Sequence, residues 1–222
     1  MITVHHLNNS RSQRVLWLLE ELGLEYDIKF YQRDPKTMLA PKELMQVHPL
    51  GKSPVITDGD LTIAESGAII EYLVERYGNG RFIPAAGTPD RLRYRYWLHY
   101  AEGSAMPLLL LKLIFSRLPK SVPALIRPVA RLICGGVLGR MIDPQLKRHL
   151  HYLEGELARG GWFAGPEFSA ADIQMSFPVE GARSRGGLDG QYPNLLKYLE
   201  AIHARPAYQR ALQRGGPYDL LR

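Results

Sequence analysis

The stretches of this chain that alternate at the period of a β-strand all end before residue 65, and that lopsidedness constrains the fold more than any single motif. ITVHHL (2–7) suits a strand, and YDIKFY (26–31) alternates with Tyr26, Ile28 and Phe30 on one side. Between them, SRSQRVLWLLEELG sets Val15, Leu16, Leu18, Leu19 and Leu22 on a helical stripe that Gly23 ends. PVIT and LTIA flank Asp58-Gly59, whose two residues tolerate the positive φ of a tight hairpin. A loosely helical stretch with Met38, Leu39, Leu44 and Met45 precedes that hairpin. ESGAIIEYLVERYG follows it as a helix, with Ile69, Ile70, Leu73 and Val74 inward and Gly78 as its stop. The expected order over residues 1–78 is β-α-β-α-β-β-α.

Residues 79–90 turn to Gly, Pro, Ala and Thr, as a linker does. Beyond them almost nothing alternates. Thr88 suits the N-cap and Pro89 the first position of a helix that Pro107 is expected to kink. Asp143-Pro144 begins another, with Leu146, Leu150, Leu153 and Leu157 at helical spacing. Ser169 and Asp172 have the spacing of a capping box, in which each side chain satisfies the other's exposed amide. YPNLLKYLEAIHARPAY adds a fourth helical stretch. The expectation is an α/β domain over 1–78, a linker over 79–90 and an all-α helical domain over 91–222. With 222 residues, 45% of them hydrophobic, the chain has material for two modest cores.

A net charge of +6 permits attraction to nucleic acid, anionic lipid or an anionic small molecule. The arginine clusters RLRYR (91–95), RPVAR (127–131) and RSR (183–185) read as solvated helix faces without a nucleic-acid motif, so no nucleic-acid partner is expected. MPLLLLKLIF and VPALIRPVARLICGGVLGRMI are interrupted by Lys112 and by arginines, short of the roughly 20 apolar residues a membrane span needs. Peripheral membrane contact through 122–142 stays open but unfavoured. Cys134 stands alone, and the N-terminus alternates and meets charge by Arg11 rather than reading as a leader, so a cytoplasmic protein is expected. His5 and His6 point to opposite faces of a strand, and His149 and His151 sit two apart on a helix; no metal site is expected.

Four motifs in order, SRSQR, HPLGKSPV, AESGAIIEYL and FSAADIQMSFP, together with AEGS at 101–104, resemble the glutathione S-transferase superfamily over essentially the whole chain, and especially a serine-type, theta-like branch of bacteria and fungi. The resemblance implies a thioredoxin-like first half that binds glutathione and a helical half that supplies a hydrophobic pocket. It implies a cis Pro54, and a Ser53 whose N–H and C=O pair with the cysteinyl unit of glutathione as a strand would. Glutathione carries two carboxylates and one ammonium. Ser66, at a helix start, suits the γ-glutamyl carboxylate, Glu65 the ammonium, and Lys52, with His48, the glycyl carboxylate. Each also has an ordinary structural explanation: a helix cap, a first-turn acid, a surface lysine.

The implied chemistry needs a thiolate. A thiol of pKa about 8.5 is roughly 3% ionised at pH 7, and lowering that pKa by ~2 units requires about 2.7 kcal/mol of preference for the anion. One charge-assisted hydrogen bond plus a helix N-terminus supplies that much. Ser10 matches the family's activating serine, with Ser12 as rival donor and Arg11 adding positive field; Ser10 as a plain N-cap is the alternative. No cysteine lies near residues 8–14 and no tyrosine ends the first strand, which leaves the cysteine and tyrosine types poor matches. Tyr94, Trp97, Tyr100 and Met106 are the candidate wall for a hydrophobic acceptor, or else core. The implied activity is a homodimeric glutathione transferase joining the thiolate to a small hydrophobic electrophile. A glutathione-dependent peroxidase or isomerase, or a non-catalytic binding protein, are the rival readings.

Overall fold

The structure, a computed structural model, describes residues 1–218; the last four residues of the expected helical domain lie outside them. The strand-rich part forms one four-stranded mixed sheet in the order β2-β1-β3-β4. β1 (Ile2–Leu7) is central, parallel to β2 (Tyr26–Tyr31) and antiparallel to β3 (Val55–Asp58), which pairs with β4 (Leu61–Ala64) across the Asp58-Gly59 turn. Gly59 there has φ of 58°. Val4 lies between Ile28 and Ile56 and is fully buried, so the sheet's middle is apolar. β2 is an edge. There Tyr26 and Tyr31 are buried while Phe30, expected beside Tyr26 and Ile28, is 58% exposed and packs edge-on against His6.

α1 (Ser12–Leu22) buries its predicted stripe and also Trp17, because it lies between the sheet on one side and α7 and α9 on the other. Gly23 ends it at φ 70°. The helix expected between β2 and β3 shrinks to a 3₁₀ turn, Lys42–Gln46. Pro35 and Pro41 leave no room for a longer one, and the Asp34 carboxylate instead accepts from the Lys36 and Thr37 amides, with Met38 at φ 60°. α2 (Ser66–Tyr77) closes the first part with Ile69, Ile70, Leu73 and Val74 inward; Gly78 follows in ordinary right-handed conformation.

Helices make up the rest: α3 (Pro89–Tyr100), α4 (Met106–Ser121), α5 (Arg127–Val137), α6 (Asp143–Gly160), α7 (Ala170–Gly181), α8 (Pro193–His203) and α9 (Pro206–Gly215). Thr88 caps α3 by accepting from the Arg91 amide at 3.2 Å. The break expected at Pro107 falls a turn earlier, in the π-helical turn Ala101–Ala105, which leaves Pro107 in the first turn of α4, where its missing N–H is harmless. The last predicted helical stretch is two helices, divided at Ala204-Arg205 before Pro206. α7 is buried along its whole length. Its capping box has both bonds: the Asp172 carboxylate accepts from the Ser169 amide at 2.8 Å, and it also takes the Phe163 amide at 2.8 Å. Burial nonetheless pushes the Asp172 pKa up to about 6.

Candidate active site

Three short pieces of the sheet-containing part and one helical turn from the other enclose a cavity of about 270 Å³. Its lining is Arg11 before α1, His48, Leu50, Lys52, Ser53 and Pro54 before β3, Ala64, Glu65 and Ser66 at the β4–α2 corner, and Glu102 from the π-helical turn. The structure thus gathers seven of the residues singled out from sequence: Arg11, His48, Lys52, Ser53, Pro54, Glu65 and Ser66. The Ser53–Pro54 peptide is cis.

At the β4–α2 corner, Glu65 holds φ of 70°, a region a non-glycine residue rarely enters, and its backbone brings α2 to the cavity with no side chain among the described residues capping the helix. First-turn amides without a cap, at the positive end of the helix, attract an anion. Ser66 is 3% exposed, and its Oγ accepts from Arg14 Nη2 at 2.7 Å and from Gln174 Nε2 at 3.4 Å. With both donors pointing in, the serine's own hydroxyl hydrogen is left to donate to a ligand oxygen.

Arg14 carries that corner. Its Nη1 donates to the Gln174 carbonyl at 2.6 Å, and Nη2 is paired with Glu102 as well as Ser66. Burial lowers the Arg14 pKa while Glu102 opposes that. Glu102 also accepts from Arg11 Nε at 2.8 Å. Burial works against the Glu102 charge, yet Arg14 and Arg11 outweigh it and hold the carboxylate below its usual range. Gln174 and Glu102, which sequence reasoning did not assign, therefore bind Arg14 from the helical half. The one available signal was the acid inside AEGS.

Ser10 and Ser12 do not line the cavity; they stand behind it. Ser10 Oγ accepts from the Ser12 amide at 3.2 Å, lies 2.7 Å from Ser12 Oγ, and reaches the lining at Ser53 Oγ, 3.4 Å away. The Ser53 hydroxyl is committed to the His5 carbonyl at 2.9 Å. Ser12 is fully buried and bonded on its far side to His6 Nδ1 at 2.9 Å. Burial lowers the His6 pKa, with a hydrogen bond to Gly215 opposing. Of the two serines, Ser10 is the one in reach of the cavity wall.

The four candidate wall residues sit elsewhere. Tyr94, Trp97, Tyr100 and Met106 are each at most 8% exposed, belong to the core, and do not line this cavity. Three of them are on α3 and Met106 begins α4; Trp97 packs on Phe163 and on Tyr152 of α6, with ring centroids at 4.8 and 5.6 Å, and Tyr100 bonds His149 of α6. The stripe is core because the helix carrying it is covered on that side. His149 and His151 take different partners, Tyr100 Oη and the Lys147 carbonyl.

Comparison with known proteins gives one consistent result. The family model "Glutathione S-transferase, N-terminal domain" matches residues 1–75, and "Glutathione S-transferase, C-terminal domain" matches 138–201. The chain is 35% identical to glutathione S-transferase 3 of Schizosaccharomyces pombe, over 96% of this chain and 88% of the relative. It is 27% identical, over 96% of this chain and 94% of the other, to a disulfide-bond oxidoreductase of Escherichia coli. Among solved structures, a glutathione S-transferase of Actinobacillus pleuropneumoniae superimposes with a TM-score of 0.80 at 36% identity, covering 100% of this chain and 96% of that one. A sphingomonad glutathione S-transferase complexed with glutathione gives 0.71 at 25% identity, covering 96% and 98%.

Proposed function

The chain belongs to the glutathione S-transferase family, and from that premise we propose that it joins the thiolate of glutathione to the electrophilic carbon of a small apolar compound. The observation that carries this reading is the shared cavity of Ser66, Glu65 and Lys52: an uncapped helix start with a free hydroxyl hydrogen, an acid and an exposed cation. Those groups are complementary to an α-carboxylate, its ammonium and a second carboxylate, the charges at the two ends of glutathione. Ser53 lies between them, where the cysteinyl unit falls. In this arrangement Ser10 donates to the sulfur, stabilising the anion without attacking anything itself. The sulfur forms the new C–S bond, and the leaving group departs with its electron pair.

The same reading takes the protein as a homodimer. Leu92 and Tyr96 of α3 and Tyr152 of α6 are exposed by 70%, 46% and 41%, and the two tyrosines both pack on Trp97. Such an aromatic patch suits an isologous contact.

Calorimetry with glutathione and turnover of a halogenated arene test the proposal. Ser10→Ala should leave glutathione affinity within about twofold and lower kcat/KM by roughly 10- to 100-fold, the worth of one hydrogen bond to a charged group. Ser12→Ala should cost less. Absence of heat with glutathione overturns the reading, and unchanged turnover in Ser10→Ala removes that serine from its role. An organic hydroperoxide, a conjugated enone and a glutathione mixed disulfide, run beside the arene, separate transfer from peroxidase, isomerase and disulfide-reducing activity.

A further inference from the structure

The hairpin of α4 and α5 reverses the usual distribution of side chains. Cys134 is the buried residue of α5. Turned away from it are Val129, Leu132 and Ile133, exposed by 59%, 78% and 60%, within an arc of about 100° on a helix of 3.6 residues per turn. Leu125 and Ile126, at 91% and 51%, continue the stripe into the turn at the tip. Leu110, Leu111, Ile114 and Leu118 of α4 are exposed too. Single exposed leucines are ordinary, but a helix face made of them marks a contact.

Charge identifies the partner. Between Glu102 and Asp143 the sequence holds no acidic residue, while it holds Lys112, Arg117, Lys120, Arg127, Arg131 and Arg140. Lys112 is paired with Asp143 at 2.6 Å, and Arg127 donates to the Val122 carbonyl; Arg117, Lys120, Arg131 and Arg140 are exposed. A second copy of this chain would match the apolar stripe but would set these cations against their own images, since a twofold contact pairs a surface with itself. An anionic bilayer satisfies both features: the apolar side chains enter the headgroup–acyl boundary and the guanidiniums stay with the phosphates. Among the described residues no helix is long and apolar enough to cross a membrane.

We propose that the α4–α5 hairpin docks the protein on the surface of an anionic lipid bilayer, with α5 lying in the interface. The docked hairpin starts at Met106, one turn beyond the cavity-lining Glu102, so the site's mouth is held close to a phase in which apolar compounds concentrate.

Co-sedimentation of the full chain with phosphatidylcholine vesicles, with or without one third phosphatidylserine, at low and high salt, is the test. Binding is expected on the phosphatidylserine vesicles, weakened by salt, with little on phosphatidylcholine alone. The double variant Leu125→Asp, Leu132→Asp should abolish it. Arg131→Gln and Arg140→Gln should each lower the partition coefficient by about fivefold. All variants should keep their helical circular dichroism and their heat of glutathione binding. No phosphatidylserine-dependent pelleting, or leucine variants that pellet like the parent, overturns the proposal. So does a leucine variant that halves the sedimenting mass when the parent binds no vesicles, because the face then serves a second copy.

Discussion

The Arg14 side chain is charged and 1% exposed, whereas Leu132 is apolar and 78% exposed. Arg14 belongs to the corner where α1, α2 and the π-helical turn meet, and Leu132 to the hairpin that begins right after that turn. At the corner the two terminal nitrogens of the Arg14 guanidinium answer a carboxylate, a serine hydroxyl and the Gln174 carbonyl. On the hairpin the exposed leucines and arginines have no such complement among the described residues. The contrast separates two kinds of departure from ordinary burial. One holds the molecule together and presents a ligand site, so its loss must be felt in folding; the other does nothing for folding and is useful only to something outside.

The largest effect that sharpens this contrast is expected for Arg14→Ala. Removing one partner of a buried pair leaves Glu102 without its inner counter-charge, the Gln174 carbonyl without its side-chain donor and Ser66 with the longer Gln174 bond alone, a loss of about 3–5 kcal/mol. Urea unfolding monitored by circular dichroism measures it. A loss below about 1 kcal/mol would mean that the corner is no more integral than the hairpin, and the contrast fails.

Glu102→Gln comes next, at about 2 kcal/mol near neutral pH, the scale of a lost hydrogen bond between charged groups. Its pH dependence carries the sharper information. Because the folded protein holds the Glu102 carboxylate below its ordinary range, the stabilisation is present above the unfolded pKa, about 4.3, and is lost as pH falls through the folded value. The stability gap between parent and variant should therefore be full from about pH 5 to 8 and close on acidification below about pH 4. A gap that is constant with pH would assign the loss to packing rather than to charge.

How much of this was legible beforehand depends on the range of the interaction. Strands, the Asp58-Gly59 hairpin and the Ser169/Asp172 capping box are written in neighbours two to four residues apart, and all are present. The stretch around Met38 and Leu39 misled because its apolar residues looked helical while Pro35, Pro41 and the Asp34 turn decided otherwise. Tyr94, Trp97 and Tyr100 have the same spacing whether they face a cleft or a core; only the position of α6 and α7 distinguishes the two. Glu102 and Gln174 escaped for a related reason. Their bonds to Arg14 span 88 and 160 residues, a separation at which one sequence gives no sign of pairing. The lining residues were recovered because KSP and ES matched a family pattern, and without that resemblance each had an ordinary local explanation.

The smallest effect is the one that tests the hairpin's side of the comparison. Leu132→Ser replaces a side chain whose apolar surface is already in water, so folding returns almost none of its transfer free energy, and exposed substitutions of this kind usually stay within about 0.5 kcal/mol. A leucine has somewhat better helix propensity than serine, by a few tenths of a kcal/mol, which sets the expected sign as slightly destabilising. Thermal unfolding should therefore be nearly superimposable on the parent's, and turnover of the arene unchanged. The measurement must be made across a range of protein concentrations. If Leu132 were covered by a second copy, the cost would exceed about 1 kcal/mol and the parent's Tm would rise with concentration more steeply than the variant's. A difference between parent and variant that stays near zero at every concentration leaves Leu132 contributing nothing to the free chain or its assemblies, which is the condition a lipid-facing residue has to meet.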